Sequence, residues 1–332
     1  MRRAIVHIGL PRTGTTSFQR LLDLRRAELA RIGILYPDLT PASATERHLS
    51  HQHLGEALDG RRPPRERDLL LGLLEDQLAD AEVVLLSYEG LCLMPLWRFG
   101  PRRLAQLFAR HGFAMEVLAT VKPQAELLNS TYTWRMQFLR EGRSFDDFFR
   151  GELASRKIDM ARLIGRWLPA AEGRATLVPV RDRASDAPLV PRIWRALELD
   201  RVVPLFSDGE LAVRENASPG PLAIAVDRRL YRLGTHRRLG VRTREATRLV
   251  ELLAREAGHD AARFNGLDPV RRVRAEAYWR PANDRLAQRV WGTSWADRVA
   301  EETPAPVNEL SAEEAGGETA DAIVAEVLRR LD

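Results

Sequence analysis

Short apolar runs alternate, over the first two hundred residues, with stretches whose apolar positions recur every three or four residues. Ala4 to Ile8 is the first run. It enters a turn holding Gly9, Pro11 and Gly14, then an amphipathic segment with Phe18, Leu21, Leu22 and Leu29. That spacing predicts one helix from about Thr15 to Ile32, stopped by Gly33. Gly33 to Pro37 reads as a short extended piece. Residues 38–66 are polar and rich in turn formers, and predict a long loop carrying His48, His51 and His53. Leu69 to Leu78 is helical, and Val83 to Ser87 is a second buried strand that ends in Tyr88-Glu89-Gly90.

The alternation continues. Met115 to Val121 reads as a third strand, cut off by Pro123, which lacks a ladder donor and biases Lys122 to an extended backbone. Gln124 to Arg140 is helical and closed by Gly142. Ser144 is placed to cap a helix from Phe145, residues 157–168 are helical, and Ala175 to Arg181 is a fourth strand. Strands alternating with helices predict an α/β protein with a central, mostly parallel sheet flanked by helices.

Beyond residue 200 the chain is helical and arginine-rich, with no strong strand after Val203-Pro204-Leu205. Residues 302–319 hold Pro304, Pro306, Gly316 and Gly317 and read as a linker. Ala320 to Leu331 sets Ile323, Val324, Val327, Leu328 and Leu331 on one helical face, suited to docking on the body of the same chain. The expected organisation is a domain over 1–300 with a helical C-terminal part, a linker over 301–319 and a terminal amphipathic helix over 320–332.

Composition narrows the classes. The 332 residues contain 51 Lys and Arg against 46 Asp and Glu, a small and scattered excess without a long basic run. It permits an anionic ligand and gives no sign of nucleic-acid binding. Only Lys122 and Lys157 are lysines. The arginine clusters at 228–229, 237–238 and 271–274 read as solvated helix faces, with attraction of a sulfated or carboxylated polymer as a second thought. A single cysteine, Cys92 in an apolar context, rules out an intrachain disulfide and a multi-cysteine metal site. No apolar run reaches the roughly 18 residues of a membrane helix, and the first run is too short for a signal peptide. A cytoplasmic location is the expectation.

The chemistry concentrates in Gly9-Leu10-Pro11-Arg12-Thr13-Gly14-Thr15-Thr16. Strand, glycine turn and helix start form an anion site, because backbone N–H groups and the helix dipole converge there. The phosphate loop of nucleotide hydrolases, G-x-x-x-x-G-K-[ST], is half kept: Gly9, Gly14 and Thr16 fit, but Thr15 replaces the lysine. The nearest cation is Arg12. No strand ends in an apolar run followed by a plain aspartate suited to magnesium, so the loop suits an anion held without metal.

His7 to Thr16 resembles the 5'-phosphosulfate loop of sulfotransferases that use 3'-phosphoadenosine 5'-phosphosulfate (PAPS), where P-[KR]-[ST]-G-T-[ST] is common. Val121 to Tyr132 is similar to that family's 3'-phosphate segment, with Lys122 in place of the usual arginine and Ser130 eight residues later. Gly33 to Pro37, Leu85 to Leu91, Arg214 to Ser218 and Asn283 to Gly292 look like further segments of bacterial members. The resemblance covers about residues 4 to 295. It implies a P-loop-like sulfotransferase fold, PAPS as donor, no metal, and a small-molecule or glycan acceptor.

Sulfuryl transfer requires that the leaving phosphate oxygen be neutralised and the acceptor proton be taken up. The resemblance gives the first task to Arg12, with Pro11, Thr13, Gly14, Thr15 and Thr16 holding the 5' end. Lys122, Ser130 and Arg214 would hold the rest of the nucleotide; a strand end aims Lys122 at the carboxyl edge of the sheet. Glu89, also at a strand end, competes with His51 and His53 for the role of base. Two other classes stay open: a nucleotide-dependent phosphoryl transferase, and a binding protein that kept the fold without catalysis.

Overall fold

The computed structural model describes residues 2–94, 100–212 and 218–331. The order is β1 (Arg2–His7), α1 (Thr15–Leu24), α2 (Arg26–Arg31), β2 (Ile34–Leu35), α3 (Gln52–Leu58), α4 (Pro64–Asp76), β3 (Val83–Ser87), α5 (Gly100–Arg110), β4 (Phe113–Val121), α6 (Gln124–Met136), α7 (Phe145–Ser155), α8 (Met160–Gly165), β5 (Ala175–Pro179) and α9 (Leu189–Ala196). Among the described residues only helices follow: α10 (Asp208–Ala212), α11 (Pro221–Arg232), α12 (Thr235–Leu239), α13 (Thr243–Glu256), α14 (Pro269–Trp291), α15 (Trp295–Arg298), α16 (Ala312–Ala315) and α17 (Glu318–Leu331). None of the described helices is long and apolar enough to cross a membrane.

Two compact units form. The first comprises Met1–Lys122, Asp159–Glu215 and Arg280–Glu301; the second comprises Pro123–Ile158, Asn216–Trp279 and Glu302–Asp332. The first contains the five-stranded sheet, in the order β2-β3-β1-β4-β5, with every pairing parallel. Its strands read as continuous apolar runs because helices cover both faces of a parallel sheet. One side of the core gathers Ile5, Phe18, Leu22, Leu85, Leu118, Ile193 and Trp194. The expected α/β class and parallel sheet are present, and β2 adds a two-residue edge strand from the short extended piece.

Local differences have physical causes. The helix expected from Thr15 to Ile32 breaks at Arg25, whose φ of −107° and ψ of 24° leave the helical region. The Arg25 guanidinium is held by Glu28 and Glu210. The expected loop over 38–66 contains α3 and the first turn of α4. Gly55 lets α3 press on Tyr88: a Cβ there would lie 2.2 Å from the tyrosine ring. Val203-Pro204-Leu205 forms the end of a 3-10 helix, Asp200–Leu205, not a strand.

The second unit is helical. Ser144 caps α7, its hydroxyl accepting from Asp147 N–H, and the helix runs on to Ser155. Residues Ala320, Ile323, Val324, Val327 and Leu331 of α17 are buried with Leu222, Val226 and Leu230 of α11 and Ala246 and Val250 of α13. The terminal helix thus docks on its own chain. An aromatic cluster of Tyr132, Phe145, Phe148, Phe149 and Phe264 forms a second core there.

Candidate functional site

β1 is flanked by β3 and β4, so the chain leaves it toward one side of the sheet and later crosses to the other. Ligands of open α/β sheets bind outside the carboxyl ends of strands at such a reversal. Three strand ends meet there: His7 with the loop that follows, Ser87 with Tyr88 and Glu89, and Thr120 with Lys122. Backbone bonds extend the pairing past the strands, from Ile8 N–H to Leu118 C=O and from Tyr88 N–H to His7 C=O.

The loop is held in an unusual backbone. Gly9, Arg12 and Gly14 have φ of 69°, 68° and 84°. The left-handed region is natural for the glycines and rare for an arginine, and such conformations gather where surrounding structure enforces them. Thr13 is buried; its hydroxyl donates to Leu10 C=O at 2.5 Å, so the Thr120 hydroxyl, 2.6 Å away, donates to it. That bond ties the crown of the loop to the end of β4. Gly14 begins α1, and no side chain caps it. The helix N-terminus therefore presents its dipole and first amides to the loop.

Glu89 lies against the loop. A Cβ on Gly9 would stand 2.6 Å from Glu89 Cβ and 2.8 Å from its Cα, so only glycine permits this approach. Gln19 of α1, buried, donates to Glu89 Oε2 at 2.9 Å and to Ser87 Oγ at 3.1 Å. Ser87 Oγ also shares a 2.7 Å hydrogen bond with His7 Nδ1. One side chain thereby orients the half-buried carboxylate from beneath. Gly9→Ala is expected to lower stability by about 1–3 kcal/mol through positive-φ strain and displacement of Glu89, measured by urea unfolding; unchanged stability would show that the two strand ends yield freely.

Both histidine candidates for the base are buried. His51 is buried with both ring nitrogens engaged: Nδ1 accepts from Ser87 N–H at 2.9 Å and Nε2–H donates to Pro37 C=O at 2.9 Å. Burial drops its pKa to about 4. It fastens the 38–51 segment to the end of β3 and leaves no nitrogen for an acceptor proton. His53, in α3, is also buried, its ring 4.7 Å from that of His48, with Nε2 against Glu46 C=O at 3.3 Å. Burial lowers its pKa as well. His7 is a core residue whose pKa burial lowers to about 3, and Cys92 is buried with its thiol pushed up.

The nucleotide-binding candidates divide. Lys122, half-buried, follows β4 directly, on the same edge as the loop. Arg181 leaves the sheet one strand away, after the Val180 N–H to Val121 C=O bond of 2.7 Å. Ser130 belongs to the second unit, where its hydroxyl faces Glu126 C=O at 2.9 Å and Leu127 C=O at 3.1 Å in its own helix. Arg214 lies outside the described residues. Pro11, Arg12, Thr13, Gly14, Thr15, Thr16 and Glu89 come together; Ser130 is not brought to them within one unit.

Gln19, Ser87, Thr120 and Arg181 had no role in the expected site. Gln19 was detectable: Thr15, Phe18, Gln19 and Leu22 share one helical face and are all buried, and a carboxamide on such a face needs a partner. No protein-family model matches the chain, and no curated protein matches it either.

Proposed function

We propose that this protein is a PAPS-dependent sulfotransferase of P-loop-like fold, transferring a sulfuryl group to a hydroxyl or amine of a saccharide, lipid or small metabolite. The observation that carries this is the loop after the central strand: Arg12 in a left-handed backbone, Thr13 pinned to β4, an uncapped α1, and Glu89 against Gly9. These groups suit an anion that sheds its terminal group to a neighbouring nucleophile.

In the transfer, the acceptor oxygen or nitrogen attacks sulfur and the bond between sulfur and the bridging 5'-phosphate oxygen breaks. The acceptor proton passes to the Glu89 carboxylate, which Gln19 holds in place. Arg12 and the amides at the start of α1 take up the charge that grows on the phosphate. Lys122, on the same edge, is assigned to the 3'-phosphate, the feature that separates this donor from ATP.

Thermal unfolding with adenosine 3',5'-bisphosphate tests this. Ligand at about 100 times its Kd adds about 2.7 kcal/mol to stability, so a rise of several degrees in Tm is expected. Stabilisation by magnesium-ATP with no response to the bisphosphate would overturn the proposal in favour of a phosphoryl transferase.

A further inference from the structure

The second unit carries a corner of unusual chemistry between α11 and α13. From Arg232 to Arg248 the chain has six arginines, at 232, 237, 238, 242, 244 and 248, against the single acid Glu245. Glu245 is taken by Arg242 at 3.0 Å, and Arg244 pairs with Glu251 at 3.0 Å. Arg237 and Arg248 are exposed and make no ion pair among the described residues. Arg232 donates to Gly142 C=O at 3.0 Å, so the outward-facing charge of this corner rests on Arg237 and Arg248, eleven residues apart in the chain.

Apolar side chains accompany it. Val241 is 98% exposed and Leu233 is 63% exposed, at the two ends of the short helix α12. The corner is nevertheless anchored. Thr235 and Leu239 are buried, Leu239 in the core with Leu230 and Ala246, and the His236 ring stacks on Tyr231 at 4.4 Å. Gly240, with φ of 52° and ψ of −113°, makes the reversal that follows Leu239 inward with Val241 outward. A Cβ on Gly234 or Gly240 would meet nothing within 4 Å, so both turns face open solvent.

We propose that this corner seats the protein on an anionic lipid bilayer, with Leu233 and Val241 entering the headgroup boundary and Arg237 and Arg248 facing lipid phosphates. Charge complementarity selects an anionic surface, and bare aliphatic tips among the cations select a membrane over a dissolved polyanion, which gains nothing from them. The inference is independent of the nucleotide site in the first unit.

Co-sedimentation of the full chain with phosphatidylcholine vesicles, and with vesicles containing phosphatidylglycerol, tests it. Binding is expected to the anionic vesicles alone. Val241→Asp, and separately Arg237→Glu with Arg248→Glu, should each weaken partitioning by roughly five-fold or more; all three side chains are exposed, and circular dichroism verifies the fold. Absence of vesicle binding, equal binding to both vesicles, or wild-type binding by Val241→Asp overturns the proposal. Retention on heparin by wild type and Val241→Asp alike, without vesicle binding, assigns the corner to a soluble polyanion instead.

Discussion

Arg12→Ala is expected to reduce sulfuryl transfer by a factor of about 10²–10³, the usual loss when one donor to a developing anion is removed. Release of adenosine 3',5'-bisphosphate from PAPS over an acceptor panel measures it. The fold should survive, because the Thr13–Thr120 hydroxyl bond that ties the loop to β4 is untouched by the substitution. Alanine at a φ of 68° is no better suited than arginine, so Arg12→Gly serves as a second variant that relaxes the backbone while removing the guanidinium. Both variants should fail in turnover, and Arg12→Gly should melt at least as high as Arg12→Ala. Turnover within about tenfold of wild type in either would remove Arg12 from the role.

Asp227→Asn is expected to stabilise the protein, increasingly so as pH rises. Asp227 sits in α11, fully buried, and neither carboxylate oxygen has a hydrogen-bond partner among the described residues. Burial, aided by Glu251, raises its pKa well above the ordinary carboxylate range, against a weaker pull from Arg244. The folded state therefore keeps the proton that the unfolded chain loses near pH 4. Its favourable effect is complete below that pH and is lost as pH rises toward the folded pKa. With about 1.4 kcal/mol per pH unit, wild type should lose up to about 2.7 kcal/mol relative to Asp227→Asn between pH 5 and pH 7. Urea unfolding at the two pH values decides it; parallel pH dependence of the two proteins would show that Asp227 ionises freely in the folded state.

The α/β class was legible because a parallel sheet needs unbroken apolar strands, and Val83–Ser87 and Met115–Val121 are such runs. The turn from β1 into α1 was legible because its glycines precede a helix. The break at Arg25 was not, since it is marked by neither glycine nor proline and its guanidinium is held by Glu210, 185 residues away. Helix α3 was hidden by its short length and by Gly55, a poor helix former that serves contact with Tyr88. His51 looked like a loop base because its fate depends on Ser87, 36 residues on. Local pattern reports which residues can ionise; only tertiary partners decide which of their atoms remain available.

Placing β1 in the centre of the sheet has a consequence for assembly. Its partners lie far along the chain: Arg3 pairs with Val83, and Arg2 with Phe113. Such pairings close long segments before they return any contact energy, which makes for slow, late nucleation. The loop from Gly9 to Gly14 is continuous with β1 and packs against the ends of both neighbours, so no fragment lacking β4 would carry the Thr13–Thr120 tie. The tied form of the loop is thus an outcome of topology, complete only when β4 is in register beside β1.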